Sequence, residues 1–245
     1  MAKVLISCMD RRLNPELDRM AKDMAKDGSE VIVLRDAGAN VGGLEESMRE
    51  IEEMAGIDRI VIATHDDCGA MKFVSGCLDG RYTYDRDLGS KLVEPFEKHA
   101  GENLDIANQK VQRSRAVDLS KALGLNAKIE VSPISVGSIG VPESTNGAHH
   151  ALLVGSGIYK MGFEKAIKKA GLETFETYVI DAPVLSEILP DIKIAKDILG
   201  ISDIRVVSLN QKQEAKNAKF VEEAKGMGMG MKHLKIYGIK DRAPA

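Results

Sequence analysis

The chain has 245 residues, 44% of them hydrophobic and 29% charged, with a formal net charge of -3. That size and apolar content suit one large or two small α/β units with a full hydrophobic core. The charge balance gives no reason to expect nucleic acid or an anionic membrane as a partner, and no run of about 18 apolar residues marks a membrane-spanning helix. The three cysteines, Cys8, Cys68 and Cys77, are an odd set that argues for metal binding or reactive thiols in a reducing compartment rather than for a disulfide framework. The N-terminus runs into a strand without a leader-like segment, so the expected location is the cytoplasm.

Val4, Leu5 and Ile6 read as a strand buried on both faces, as in a parallel sheet. The run ends at Ser7-Cys8-Met9-Asp10-Arg11-Arg12, where an open parallel sheet places its chemistry. Asn14-Pro15-Glu16 starts a helix with Leu17, Met20, Ala21 and Met24 on one face, and Asp27-Gly28 ends it. Glu30–Leu34 is a second buried strand, opening into the glycine-rich loop Arg35–Gly43. A helix with Leu44, Met48, Ile51 and Ala55 at helical spacing leads to a third strand, Arg59–Thr64, which ends at His65-Asp66-Asp67-Cys68-Gly69. This β-α-β-α-β order is the doubly wound pattern. From Cys77 to about Asn103 the chain turns polar, with a short helix around Lys91 to His99. A longer helix, Leu104 to Leu123, and a fourth strand at Ala127–Val131 follow.

The stretch from Gly137 to Gly147, rich in Gly, Ser, Pro and Asn, reads as a linker. It divides a first unit, 1–140, from a second, 148–245. The second unit has the rhythm of the first. Strand starts at Val4, Val31 and Ile60 are matched by starts at Leu152, Tyr178 and Arg205, which suggests an internal duplication. A final strand is expected at His233–Tyr237. In this pairing Ser156 stands opposite Cys8, Asn210 opposite His65 and Gln213 opposite Cys68, so the second copy lacks every candidate ligand. The expected architecture is α/β, a doubly wound and mostly parallel sheet built from two similar units in tandem.

Two cysteines and one histidine at two strand ends are three good zinc ligands. They leave one tetrahedral position open, as in catalytic zinc sites, where zinc lowers the pKa of bound water to near 7. Asp10 and Arg12 lie beside the first ligand, and an arginine fork can hold a carboxylate ionised. Such a carboxylate can orient the water or take the fourth zinc position itself.

The set Cys8-x-Asp10-x-Arg12, Arg35-x-Ala37-Gly38 and His65-x-x-Cys68-Gly69 resembles the β-class carbonic anhydrases in order, strand-end placement and spacing. The resemblance covers about residues 2–136, including the long helix with Asn108 and Val111. It implies Cys8, His65 and Cys68 as zinc ligands, Asp10 and Arg12 as a catalytic dyad, and reversible hydration of carbon dioxide to bicarbonate and a proton. It also implies a dimeric framework with sites near the subunit interface. A second unit without ligands could supply that surface within one chain, giving a pseudo-dimer with one zinc, in place of or beside a homo-oligomer. The sequence departs from the family in lacking the N-terminal helical arm and in having Asp36 where asparagine is usual. Hydrolysis of carbonyl sulfide or carbon disulfide on the same site, and a non-catalytic zinc-binding or sensing role, are the alternatives.

Other residues carry weaker readings. Asp36 and Asn40 read as loop-shaping residues, Gly38 and Gly69 as tight turns close to the metal, and Asp66 and Asp67 as loop charges or a support for the imidazole. Cys77 has no partner in this scheme. Gly42-Gly43 before a helix could cradle an anion. His149 and His150 read as loop residues rather than a second metal site, and the glycine-methionine alternation Gly226–Met231 as a mobile surface loop.

Overall fold

The computed structural model describes residues 1–84, 86–141 and 150–236. Eight strands form one sheet: β1 (Ala2–Cys8), β2 (Glu30–Asp36), β3 (Ile57–Ala63), β4 (Lys128–Val131), β5 (Ala151–Gly155), β6 (Thr177–Asp181), β7 (Asp203–Ser208) and β8 (Lys232–Lys235). Helices α1 (Asn14–Met24), α2 (Glu45–Ala55), α3 (Gly69–Leu78), the single turn α4 (Arg86–Leu88), α5 (Leu104–Ala122), α6 (Phe163–Lys169), α7 (Leu189–Lys193) and α8 (Gln211–Gly226) connect them. The fold is α/β and the sheet is mostly parallel, in the order β4-β3-β1-β2-β6-β5-β7-β8.

β1 is apolar because it is enclosed. All seven of its residues are buried, and parallel strands flank it on both sides. The chain moves one way from β1 to β2 and the other way from β2 to β3. With right-handed crossovers this reversal sends α1 and α2 to opposite faces and leaves a crevice at the carboxyl ends of β1 and β3. Cys8 closes β1, and His65 follows β3 by two residues. α1 stops where Gly28 turns left-handed at φ 83°, and Gly56 at φ 67° does the same after α2.

Read from each outer edge inward, the strands run 4-3-1-2 and 8-7-5-6. The two sets meet at β2 and β6, an antiparallel contact with Arg35 opposite Asp181. Carboxylates lock this junction in both directions. Asp18 on α1 accepts from the N–H groups of Phe163 (2.7 Å) and Glu164 (3.1 Å) at the start of α6. Glu187 accepts from Glu46 N–H (2.7 Å) and Ser47 N–H (2.9 Å) at the start of α2. Each carboxylate meets the unpaired donors and the positive dipole end of a helix across the junction.

Several expectations need adjustment. The segment Gly69–Leu78, to which the sequence reading assigns no element, is a helix with Phe73 and Val74 buried. Around Lys91 to His99 the chain forms a wide turn and then a tight one, because Pro95 and Gly89 interrupt regular helix. Of the three methionines in the Gly226–Met231 stretch, Met227 is exposed (59%), while Met229 and Met231 pack into the core. Gly38 is left-handed as anticipated, but Gly69 is an ordinary first helical residue. Most of the Gly137–Gly147 linker, His149 and Tyr237 lie outside the described residues.

Asp181 gives the junction a pH signature. Burial pushes its carboxyl up to about 7, although the N–H groups of Gly157 (2.7 Å) and Tyr159 (2.9 Å) donate to it. A carboxyl that binds its proton more tightly in the folded chain favours the fold at low pH, and this contribution is lost as pH rises from about 4 through about 7. The melting temperature of Asp181→Asn relative to wild type is therefore expected to rise by several degrees between pH 5 and pH 8. A difference that stays constant across that range would show that Asp181 does not titrate.

Candidate metal centre

Cys8 at the end of β1, and His65 and Cys68 in the turn after β3, converge behind a cleft at the strand ends. Their sulfur and nitrogen atoms all lie within 4.8 Å of one another, and all three residues are buried. The two Sγ atoms are 3.9 Å apart. His65 Nδ1 lies 2.8 Å from the carbonyl oxygen of Asp66. An N–H donated there leaves Nε2 as the atom with a free lone pair. Nε2 is buried and has no hydrogen-bond partner. An orphaned imidazole nitrogen beside two thiols is costly unless something binds there. These three residues fit a thiophilic cation such as zinc.

The electrostatics fit as well. Cys8 is held well below the usual thiol range by its hydrogen bond with Cys68 and by His65, against the effect of burial. Cys68 is pushed up by the same pairing and by burial. Burial works against a charged His65, but Cys8 and Asp10 outweigh it and hold the imidazole at about 9.

Asp10 stands beside this group, its Oδ2 4.0 Å from His65 Nε2. Arg12 grips it with Nη2 on Oδ2 (2.7 Å), Nε on Oδ1 (3.0 Å), and its backbone N–H on Oδ1 (2.9 Å). Burial pushes the Asp10 carboxyl up, but these bonds and His65 outweigh it and keep it below its usual range. Arg12 is anchored in turn by Asp67, whose Oδ2 accepts from Nη1 at 2.7 Å and whose carbonyl accepts from Nη2 at 2.9 Å. Asp67 also pairs with Lys72 and adopts a left-handed backbone, φ 54°. It is therefore a bracket for Arg12. Asp66 points elsewhere, accepting from Ser135 Oγ (2.8 Å) and Val136 N–H (2.7 Å), and helps the imidazole only through its carbonyl.

The loop after β2 forms the rear wall. Gly38, left-handed at φ 75°, donates its N–H to Cys8 Sγ at 3.3 Å. Asp36 accepts from Asn40 N–H (2.7 Å), and Arg115 donates to Asn40 Oδ1, so both residues shape the loop as expected. Burial and the neighbouring Asp191 push the Asp36 carboxyl well above its usual range. Arg115 also lies where a side chain at Gly42 would go, and the N–H groups that follow Gly42-Gly43 at the start of α2 already donate to Glu187 rather than standing open to an anion. Cys77 is buried on α3, outside the centre.

A sequence search against protein-family models finds no match, and a search of curated proteins finds none. Among solved structures, the chain is similar to a carbonic anhydrase from Glaciozyma antarctica, with 20% identity over 56% of this chain and 77% of that one, and a TM-score of 0.38.

The cleft in front of the centre has a volume of about 180 Å³. Cys8, Asp10, Arg11 and Arg12 lie on one side. Tyr178, Ile194, Ile198 and Leu199, from the second half of the chain, lie on the other. Nothing in the sequence marks those four, because a tyrosine in a strand and apolar residues near a helix end read as ordinary core. Ser156, Asn210 and Gln213, which the sequence reading sets opposite Cys8, His65 and Cys68, are engaged in internal bonds. Gln213 Nε2 donates to the Ser156 carbonyl, Gln213 Oε1 accepts from Leu209 N–H (2.8 Å), and Asn210 caps α8 through Gln213 N–H (2.9 Å). Among the described residues Cys8, His65 and Cys68 are the one such metal-competent group, and no helix there is long and apolar enough to cross a membrane.

Proposed function

We propose that this chain is a zinc enzyme that reversibly hydrates carbon dioxide to bicarbonate and a proton. Cys8, His65 and Cys68 would hold the metal, and Asp10 and Arg12 would handle the attacking water. The observation that carries this reading is the orphaned Nε2 of His65, next to two sulfurs and one arginine-held carboxylate. Zinc bound there would supply a Lewis acid and a nucleophile from water at neutral pH.

The chain's own residues supply the rest. Arg12 keeps Asp10 ionised and in one orientation, so that its free lone pairs accept a hydrogen bond from water. Because Arg12 already draws on both oxygens, Asp10 is better suited to hold water than to bind the metal. Ile194, Ile198 and Leu199 give the cleft an apolar wall, which suits an uncharged linear substrate. Arg11 lines the same cleft and would favour an anionic product. Asp10→Asn is expected to keep its metal and lose about 10²–10⁴-fold in kcat/KM. Loss of metal in that variant would place Asp10 among the ligands instead.

The same cleft would accept carbonyl sulfide or carbon disulfide, and a non-catalytic zinc-binding or sensing role is the reading from another class. We further read residues 148–245 as a degenerate repeat of residues 1–140, which makes the chain a pseudo-dimer with one zinc. The matching strand orders support this. Three unpaired cysteines suit the cytoplasm. Stopped-flow hydration of carbon dioxide, with zinc quantified in the same sample, tests the proposal. One zinc per chain with fast turnover is expected. Zinc without turnover on any of the three substrates would overturn the enzyme reading. Turnover on the sulfur compounds alone would reassign the substrate, and two zinc ions per chain would end the degenerate-repeat reading.

A further inference from the structure

We propose that Asn108, backed by Gln112, is a positioning residue for the metal centre. It fixes the backbone at Gly38 through the carbonyl, so that the N–H on the other side of the same Cα meets the Cys8 sulfur. This inference rests on the reading of Cys8, His65 and Cys68 as metal ligands.

The path is continuous. Gly38 N–H reaches Cys8 Sγ at 3.3 Å. The Gly38 carbonyl accepts from Asn108 Nδ2 at 2.9 Å. Asn108 Oδ1 accepts from Gln112 Nε2 at 2.9 Å, one helical turn further along α5. Gln112 Oε1 accepts from Val41 N–H at 3.0 Å, back on the loop. The two carboxamides therefore hold the loop at two points from one rigid helix. Asn108 is 1% exposed and Gln112 is fully buried.

Two buried carboxamides cost desolvation that leucine or methionine would avoid. Their three bonds offset that cost, and all three run to the loop or between the two amides rather than to the helix backbone. Gly38 needs such a hold. It is left-handed, and a side chain there would come within 3.1 Å of Met71 Cε. An unrestrained glycine at this point would swing its N–H away from the sulfur. A donated N–H draws charge from a thiolate and sets the direction of its remaining lone pairs, so it governs how Cys8 can share a cation with His65 and Cys68. Partners of this kind are worth roughly 10–100-fold in metal affinity.

The bland alternative is that the carboxamides only tie α5 to the protein. Cobalt(II) separates the two, because its thiolate charge-transfer band reports the sulfur directly and needs no turnover. The full-length protein is stripped of metal and titrated with cobalt(II) against a chelator. The variants are Asn108→Leu, Gln112→Met and Ala116→Gly. Ala116 is a buried residue of the same helix outside the amide path. Its replacement weakens the helix by about 1 kcal/mol without touching the path.

Wild type is expected to bind one cobalt with a thiolate band. Asn108→Leu is expected to bind 10–100-fold more weakly with a shifted band, Gln112→Met to move the same way by less, and Ala116→Gly to match wild type. An Asn108→Leu protein with wild-type affinity and band would overturn the inference. So would Ala116→Gly if it reproduced the loss. If Asn108→Leu does not fold, Gln112→Met decides on the same two readouts. A wild type without a thiolate band would instead remove the metal reading, and this inference with it.

Discussion

Cys8→Ser is expected to abolish metal binding and turnover together. Serine is nearly the same size, so β1 and its parallel pairings should persist. The chemistry does not persist, because a hydroxyl stays protonated at neutral pH where a thiolate binds a soft cation. Two strong ligands, His65 and Cys68, then remain. A full ligand set is worth about 10–16 kcal/mol, so losing one of its members should weaken zinc on the order of 10³-fold or more. Zinc per chain should fall close to zero, and carbon dioxide hydration to the uncatalysed rate. Cys77→Ser is the matched control, since Cys77 lies outside the centre, and should keep both. A Cys8→Ser protein that retains one zinc and full turnover would show that the centre is elsewhere.

Arg35→Met is expected to be the most destabilising single change. Arg35 is fully buried on β2. Its Nε and Nη2 donate to the Cys8 carbonyl at 3.1 and 3.0 Å, and Nη2 donates also to the Asp10 carbonyl at 2.9 Å. Nη1 donates to Asn14 Oδ1, and Asn14 Nδ2 reaches across the junction to the carbonyls of Thr174 (2.7 Å) and Thr177 (2.9 Å). The Phe163 ring lies 4.9 Å from the guanidinium carbon. Burial lowers the guanidinium to about 10, still charged at neutral pH. Methionine fills the length but removes the guanidinium donors from the Cys8 carbonyl and Asn14 Oδ1, while the Asp10 carbonyl keeps only the Leu13 N–H at 3.1 Å. At roughly 1–3 kcal/mol for each unsatisfied buried group, the loss should reach about 3–5 kcal/mol. Urea denaturation measures it, and a loss under about 1 kcal/mol would mean that the carbonyls find other donors. Arg35→Lys should rescue little, because one ammonium cannot reproduce a planar fork with several acceptors.

The strands around the centre were legible because burial on both faces leaves continuous apolar runs, as at Val4–Ile6 and Ile60–Ala63. The convergence of Cys8, His65 and Cys68 was legible because parallel strands deliver their ends to one side. The hold of Arg12 on Asp10 was readable from alternate spacing past a strand. The bracket from Asp67 was not, since a left-handed aspartate in a turn leaves no pattern. α3 was missed because Gly69 and Gly76 weaken its helical signal. Arg35 stood out as a motif member, but its targets are backbone carbonyls, which carry no side-chain signature. Asn108 and Gln112 reach the loop across a long sequence separation, and a carboxamide on a helix more often faces water. The joining of both halves through β2 and β6 could not be read either, because an edge strand has the same composition whether or not it finds a partner.

The far wall of the cleft, with Tyr178, Ile194, Ile198 and Leu199, belongs to the same chain as Cys8, His65 and Cys68. An assembly that borrows such a wall from a separate chain loses its site on dilution, at a rate set by the dissociation constant. Here the wall is always present at the effective concentration of its own linker. Specific activity should therefore be independent of protein concentration down to the lowest assayable level. The two faces of the cleft can also vary independently in sequence, because a change on one is not copied onto the other.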